Sequence, residues 1–98
     1  MTIEEIYEKV MNDEPLAVSK KAMRELGTNP AVLLACVEGD CEIGEEKAFT
    51  QEYLQDRCNL SVGQQRRCIK RLQDTGYIKV MYDCYKRRYI TLLKKAEV

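Results

Sequence analysis

Apolar side chains recur at helical spacing near the start of the chain. The stripe consists of Ile3, Ile6, Tyr7 and Val10. Because these positions follow the i, i+3, i+4, i+7 pattern, they predict an amphipathic helix over residues 2–12, which must bury its stripe on its own domain or on a second copy of the chain. We therefore distinguish an N-terminal element, residues 1–13, with a homodimer contact as one expectation, from a main domain over residues 14–98.

The next stretch predicts two helices that meet at a glycine. Ser19 is typical of an N-cap for a short helix over residues 20–26, and Gly27 ends it. Asn29 and Pro30 are then expected to cap and begin the following helix. Its body, AVLLACVEG, is apolar on nearly every side, which predicts a central core helix ending at Gly39.

A polar loop over residues 40–46 and a short strand over residues 47–49 lead into the most informative stretch. Thr50 is typical of an N-cap, and Tyr53, Leu54 and Cys58 give the helix after it an apolar side. The turn that follows is predicted from three residues with separate roles: Asn59 for a left-handed conformation, Leu60 as an apolar plug, and Ser61 as the next N-cap. A second helix then runs from residue 62 to 75, so residues 50–75 are predicted to form a helix, a tight turn and a helix.

The second of these helices has one apolar and one basic side. The inner side is predicted to hold Gln65, Cys68, Ile69 and Leu72, although Gln65 stands where an aliphatic residue is expected. The opposite side presents Gln64, Arg66, Arg67, Lys70 and Arg71. Residues 77–93 alternate in polarity and predict a β-hairpin with Lys86, Arg87 and Arg88 near its tip.

Charge divides the chain into two halves. Residues 1–49 carry eleven acidic and five basic side chains, and residues 50–98 reverse those numbers, so the formal net charge is zero. This asymmetry favours a polyanion as the partner of the second half and a protein as partner of the acidic N-terminal half. Attraction between the two halves explains the same pattern and stays open as an alternative.

The run from Leu54 through Ser61, followed by RRxIKRL and Gly76-Tyr77-Ile78, resembles the helix-turn-helix of bacterial and phage winged-helix proteins. It is most similar to the N-terminal domains of phage and plasmid replication initiators and related mobile-element proteins. The resemblance covers roughly residues 16–93. It implies a mainly α fold with a small β-sheet (α+β), here a winged helix-turn-helix with an extra N-terminal helix, in which the hairpin over residues 77–93 is the wing.

The resemblance implies double-stranded DNA as the partner and a role in replication or transcription regulation. The helix over residues 61–75 is then expected in the major groove, where Gln64 reads adenine and Arg66 or Arg67 reads guanine. The residues expected mainly on phosphates are Ser61, Lys70, Arg71, Lys86, Arg87 and Arg88. Tyr82 and Tyr85 near the tip are expected either in the minor groove or in a packing pair.

A small adaptor or inhibitor that uses the same scaffold to bind a host protein or an RNA–protein complex is the main alternative. Catalysis is not expected, since the chain has no His, no Gly-rich phosphate loop and no triad-like grouping, and no cofactor is implied. No apolar run approaches the ~20 residues that span a bilayer, which favours a cytoplasmic protein without a membrane partner.

The first residues, MTIEEIYEKV, do not fit a secretory signal, so the five cysteines are expected as reduced thiols. Cys36 and Cys41 have a C-x4-C spacing that tolerates zinc. The three others form no second close pair, and structural zinc sites usually have two. We therefore expect no metal, and cysteine as a small apolar core residue.

Overall fold

The computed structural model describes residues 18–96, and this part of the chain has an α+β architecture. The predicted helix over residues 2–12, and the dimer contact assigned to it, lie outside the described residues. Four helices and a three-stranded antiparallel sheet follow one another in the described part. They are α1 (Lys20–Leu26), α2 (Thr28–Asp40), β1 (Glu46–Ala48), α3 (Gln51–Cys58), α4 (Val62–Asp74), β2 (Ile78–Tyr82) and β3 (Arg88–Leu92).

Gly27 joins α1 to α2 without a linker. The start of α1 is as predicted, because the Ser19 hydroxyl accepts a hydrogen bond from the Ala22 N–H at 3.2 Å. Gly27 ends α1 at a φ of 99° and is also the N-cap of α2, with no side-chain cap. The prediction that Asn29 caps α2 is therefore wrong: once Gly27 serves both helices, Asn29 falls inside the first turn.

The central helix is α2, as the sequence predicted. Its buried residues come from nearly every side of the helix and are Ala31, Leu33, Leu34, Ala35, Cys36 and Val37. The helix continues through Gly39 to Asp40, because the Cys41 N–H still donates to the Val37 carbonyl at 2.8 Å. The predicted end at Gly39 is thus wrong by one residue, since glycine lowers helix stability by only about 1 kcal/mol and does not by itself end a helix.

The turn between α3 and α4 has the predicted local structure. The Thr50 hydroxyl caps α3 by accepting from the Tyr53 N–H at 3.0 Å. Asn59 adopts φ 56° and ψ 40°, the left-handed conformation that asparagine tolerates. Leu60 is buried between the helices, and Ser61 caps α4. These three residues hold the axis of α4 at a defined angle to α3.

The sheet has the order β1-β3-β2, so β3 lies in the centre and pairs with both neighbours. Ile90 of β3 lies opposite Lys47 of β1 and Val80 of β2. The predicted strand over residues 47–49 is shifted by one residue, because Phe49 leaves the strand to bury its ring in the core. The hairpin is confirmed, and its turn closes with a bond from the Asp83 N–H to the Arg87 carbonyl at 3.1 Å.

Candidate nucleic-acid interface

The outward side of α4 carries a row of basic side chains. Its buried side consists of Gln65, Cys68, Ile69 and Leu72, as predicted. The opposite side exposes Arg66, Arg67, Lys70 and Arg71, and none of these four forms a salt bridge with a carboxylate of residues 18–96. Arg71 donates from Nη2 to the Glu25 carbonyl at 3.2 Å, so this side chain turns back toward α1. The described α4 surface therefore presents a positive face with little internal neutralisation.

Ser61 and Gln64 form a reciprocal cap at the start of α4. The Ser61 hydroxyl accepts from the Gln64 N–H at 3.2 Å, and the Gln64 side-chain oxygen accepts from the Ser61 N–H at 2.9 Å. Such a capping box satisfies two backbone donors that the helix cannot satisfy itself. To pair with adenine through both amide atoms, Gln64 must first release the Ser61 N–H. The sequence predicted Ser61 as a cap but did not predict that Gln64 completes it.

The basic residues of the hairpin are in three different environments. Lys86 is exposed in the turn, at a left-handed φ of 62°. Arg87 forms a salt bridge from Nε to the Asp83 carboxylate at 2.7 Å and lies over the Tyr85 ring, 5.2 Å from its centroid. Arg88 is half-buried and donates to the Phe49 carbonyl at 3.1 Å. The three residues are adjacent in sequence but do not form one uniform cationic patch.

The pKa values of Asp83, Arg87 and Arg88 are shifted by these environments. Burial opposes ionisation of Asp83, but hydrogen bonds from the backbone and guanidinium of Arg87 and from the Tyr85 N–H outweigh it and hold the pKa of Asp83 below its ordinary value. The same pairing raises the pKa of Arg87. Desolvation lowers the pKa of Arg88, so its environment favours the charge less than water does.

A groove of about 480 Å³ separates α4 from the hairpin. Arg66 contributes from α4, and Tyr82, Lys86, Arg87 and Arg88 contribute from the hairpin. The segment from Ala48 to Glu52, where the chain enters α3, also lines the groove. Arg66 and the predicted wing residues therefore come together across one groove.

A second groove, of about 250 Å³, lies where α4 meets the junction of α1 and α2. Gln64, Arg67 and Arg71 line it from α4, and Leu26, Asn29 and Pro30 line it from the junction. Arg66 and Arg67 are neighbours in sequence but face different grooves. The positive side of α4 is thus bordered by a basic groove on each flank.

Two aromatic side chains near the hairpin tip, Tyr82 and Tyr85, point into solvent. Tyr82 is 64% exposed and Tyr85 is 76% exposed. The one pair of stacked or tilted rings in the described part of the chain is Phe49 with Tyr53. The expected packing pair of Tyr82 and Tyr85 is therefore not formed, and both rings are accessible to a ligand.

Gln65 has a structural role that its sequence position did not reveal. It is fully buried, and its Nε2 donates to the carbonyls of Gln51 and Leu60, each at 3.0 Å. The signal in the sequence was a polar residue in an aliphatic position. The reason for that residue is that Gln65 ties α4 to the start of α3 and to the turn between them.

Four of the five cysteines are buried, as expected for small core residues, whereas Cys84 is exposed at the hairpin tip. A hydrogen bond with Cys58 together with burial raises the pKa of Cys36, and burial raises the pKa of Cys68. In residues 18–96, no three side chains of His, Cys, Asp or Glu gather closely enough to hold a metal ion.

Comparison with protein families, with characterised proteins and with solved structures found no match for this chain. None of the helices within the described residues has the length and apolar character needed to cross a membrane.

Proposed function

We propose that this chain is a winged-helix protein that binds double-stranded DNA, with α4 in the major groove and the β2–β3 hairpin as the wing. The observation that carries the proposal is the exposed row of Arg66, Arg67 and Lys70 on a helix whose other side is anchored in the core. A major groove about 12 Å wide admits one α-helix and places a phosphate backbone on each side of it. The two basic grooves beside α4 match that arrangement.

The roles within the interface follow from the contacts of each side chain. Arg66 and Arg67 are the base readers in this proposal, because Gln64 is occupied in the cap of α4 while the two arginines are exposed. Arginine pairs bidentately with guanine, so a guanine-containing site is expected. The phosphate contacts come from Lys70, Lys86, Arg87 and the first turn of α4 at Ser61. Arg71 lies at the edge, held toward α1.

The position of α4 beside the hairpin also supports DNA as the ligand. The polar side of α4 and the hairpin border one groove, and both contribute cations to it. An adaptor that bound an acidic protein surface would use the same charges, but it would have no need for a cationic groove on each side of an exposed helix. We therefore favour DNA over protein as the ligand of this face.

The direct test is binding of the purified full chain to duplex DNA. Fluorescence anisotropy with a random-sequence duplex at increasing salt should give an affinity that falls linearly on a log–log scale, and repeated selection should enrich a guanine-containing motif. A single-stranded pool of the same composition serves as the control. Absence of duplex binding at moderate salt would refute the proposal and favour the adaptor or inhibitor alternative.

A further inference from the structure

Gln65 is the buried polar side chain of the described core, and it connects three parts of the fold. Its Nε2 bonds to the Gln51 and Leu60 carbonyls. Its Oε1 accepts from Arg88 Nη2 at 3.4 Å. The side chain thus links α4 to the start of α3, to the turn before α4 and to the first residue of β3.

Arg88 continues the link into the hairpin. Its Nε donates to the Phe49 carbonyl at 3.1 Å, and its own carbonyl accepts from the Phe49 N–H at 3.0 Å. Within residues 18–96 it has no carboxylate partner, and its two side-chain bonds go to neutral oxygens. A guanidinium in this setting acts through directed hydrogen bonds, which its fixed fork makes possible and an ammonium does not reproduce.

We propose that Gln65 and Arg88 are positioning residues that fix the hairpin relative to α4, and that Arg88 acts through this link instead of contacting a phosphate. Both ends of the link are defined by hydrogen bonds to backbone carbonyls, and Arg88 itself lines the hairpin side of the groove. The consequence for DNA rests on the proposed function. Lys86 and Arg87 reach the duplex together with α4 only while the link is intact.

The first experiment breaks the link with two variants that remove no charge. Gln65→Met deletes the amide but keeps the volume, and Arg88→Lys keeps the charge but removes the fork. Each variant should reduce the magnitude of the slope of log affinity against log salt as much as the double variant Lys86→Met/Arg87→Met does, by about 0.9 for each phosphate that is no longer neutralised. Adding Lys86→Met/Arg87→Met to either variant should then reduce this magnitude no further.

If Arg88 instead contacted a phosphate directly, the variants would change the salt dependence of binding in a different way. Arg88→Lys would keep the full magnitude of the slope, and Gln65→Met would leave that magnitude unchanged. Either result in a folded variant overturns the positioning role. Circular dichroism and thermal melting establish folding, and if Gln65→Met does not fold, Arg88→Lys decides, since it alters only a half-buried side chain.

A second measurement tests the link without DNA. Amide hydrogen exchange at Phe49, whose N–H bonds to the Arg88 carbonyl, should accelerate about tenfold or more in Arg88→Lys. The Tyr77 amide, bonded to the Leu72 carbonyl at the end of α4, is the internal control and should not change. Equal protection of Phe49 in wild type and variant would overturn the proposal. If the wild type does not bind duplex DNA, the proposed function fails, and this exchange measurement still decides the positioning role.

Discussion

The outward face of α4 and the tip of the β2–β3 hairpin are both rich in basic residues, but they hold these residues differently. On α4, Arg66, Arg67 and Lys70 extend into solvent without salt bridges to described carboxylates. On the hairpin, Arg87 is paired with Asp83 and Arg88 bonds to the protein interior. Most of the exposed positive charge available to a ligand therefore lies on the helix.

The difference has a structural cause. A helix with a buried apolar side is rigid without help from its exposed side chains, so those side chains remain available to a partner. A two-stranded hairpin that projects from a sheet has few buried contacts at its tip and is marginal alone. Asp83 and Arg88 stabilise that tip with hydrogen bonds to Arg87, Tyr85 and Phe49. Counting basic residues in a sequence does not distinguish these two uses.

The largest effect should come from the helix. Arg66→Ala/Arg67→Ala should weaken duplex binding by about 1–3 kcal/mol for each base contact removed and relax the preference at that base pair. Lys86→Ala/Arg87→Ala should cause a smaller reduction in affinity that is equal for all sequences, because phosphate contacts carry no sequence information. Anisotropy titrations against a selected site and a scrambled site measure both effects.

A charge-matched control separates contact from general electrostatics. Lys79 lies on β2 and Lys95 beyond β3, and neither lines either groove beside α4. Lys79→Ala/Lys95→Ala removes the same charge and should change affinity much less than Arg66→Ala/Arg67→Ala does. Equal reductions in the two double variants would mean that net charge, not the α4 face, governs binding.

Gly63 gives a test in which stability and binding change in opposite directions. A Cβ at this position would contact nothing closer than Arg67 Nη1 at 3.9 Å, so the fold has no need for a glycine in the first turn of α4. Gly63→Ala should stabilise the protein by about 0.5–1 kcal/mol. It should also weaken DNA binding, since the bare backbone lies where α4 would approach the duplex.

The matched control for this prediction is Gly39→Ala. Gly39 also lies in a helix, α2, with no atom within 4 Å of an added Cβ. The substitution should stabilise the protein by a similar amount and leave DNA binding unchanged. Thermal melts and anisotropy of both variants give the comparison, and a Gly63→Ala protein that binds as well as wild type would exclude close approach at the first turn.

Most features set by neighbouring residues could be predicted from the sequence, whereas features set by distant residues could not. The caps at Ser19, Thr50 and Ser61 and the left-handed Asn59 depend on bonds within a few residues, and all four are confirmed. The burial of Arg88 depends on Phe49 and Gln65, which are 39 and 23 positions away. Sequence neighbours alone therefore group Arg88 with the exposed Lys86 and Arg87.

The error in the predicted start of α2 has a different origin. Asn29-Pro30 is a good local start signal, but Gly27 already ends α1 and can begin the next helix at once. Two local signals compete there, and tertiary packing of α1 against α2 decides between them. Among the proposed interface residues, the exposed row on α4 was predicted, but the role of Gln64 in a cap was not, although Ser61 and Gln64 have the S-x-x-Q spacing that is typical of a capping box.

Gln64→Ala sharpens the division of roles within α4. The substitution removes one half of the capping box, so we expect a decrease of about 0.5–1 kcal/mol in the free energy of unfolding. The preferred DNA sequence should not change, because the base contacts belong to Arg66 and Arg67 in our proposal. Chemical denaturation and a repeated selection measure the two quantities, and loss of preference for one adenine in the variant's motif would instead assign base reading to Gln64.

The smallest effect concerns the pH response of the hairpin. The pKa of Asp83 lies below its ordinary value of 3.8, since the bonds from Arg87 and Tyr85 favour the carboxylate. A carboxyl with a lower pKa in the folded state stabilises that state above its ordinary pKa, and the contribution disappears as the pH falls through the folded value. The Tyr85 and Arg87 amide shifts should therefore titrate with a midpoint below 3.8, and Asp83→Asn should abolish the transition. A midpoint at or above 3.8 would mean that Asp83 does not hold Arg87 in solution, and the hairpin would then present Arg87 as openly as α4 presents Arg66 and Arg67.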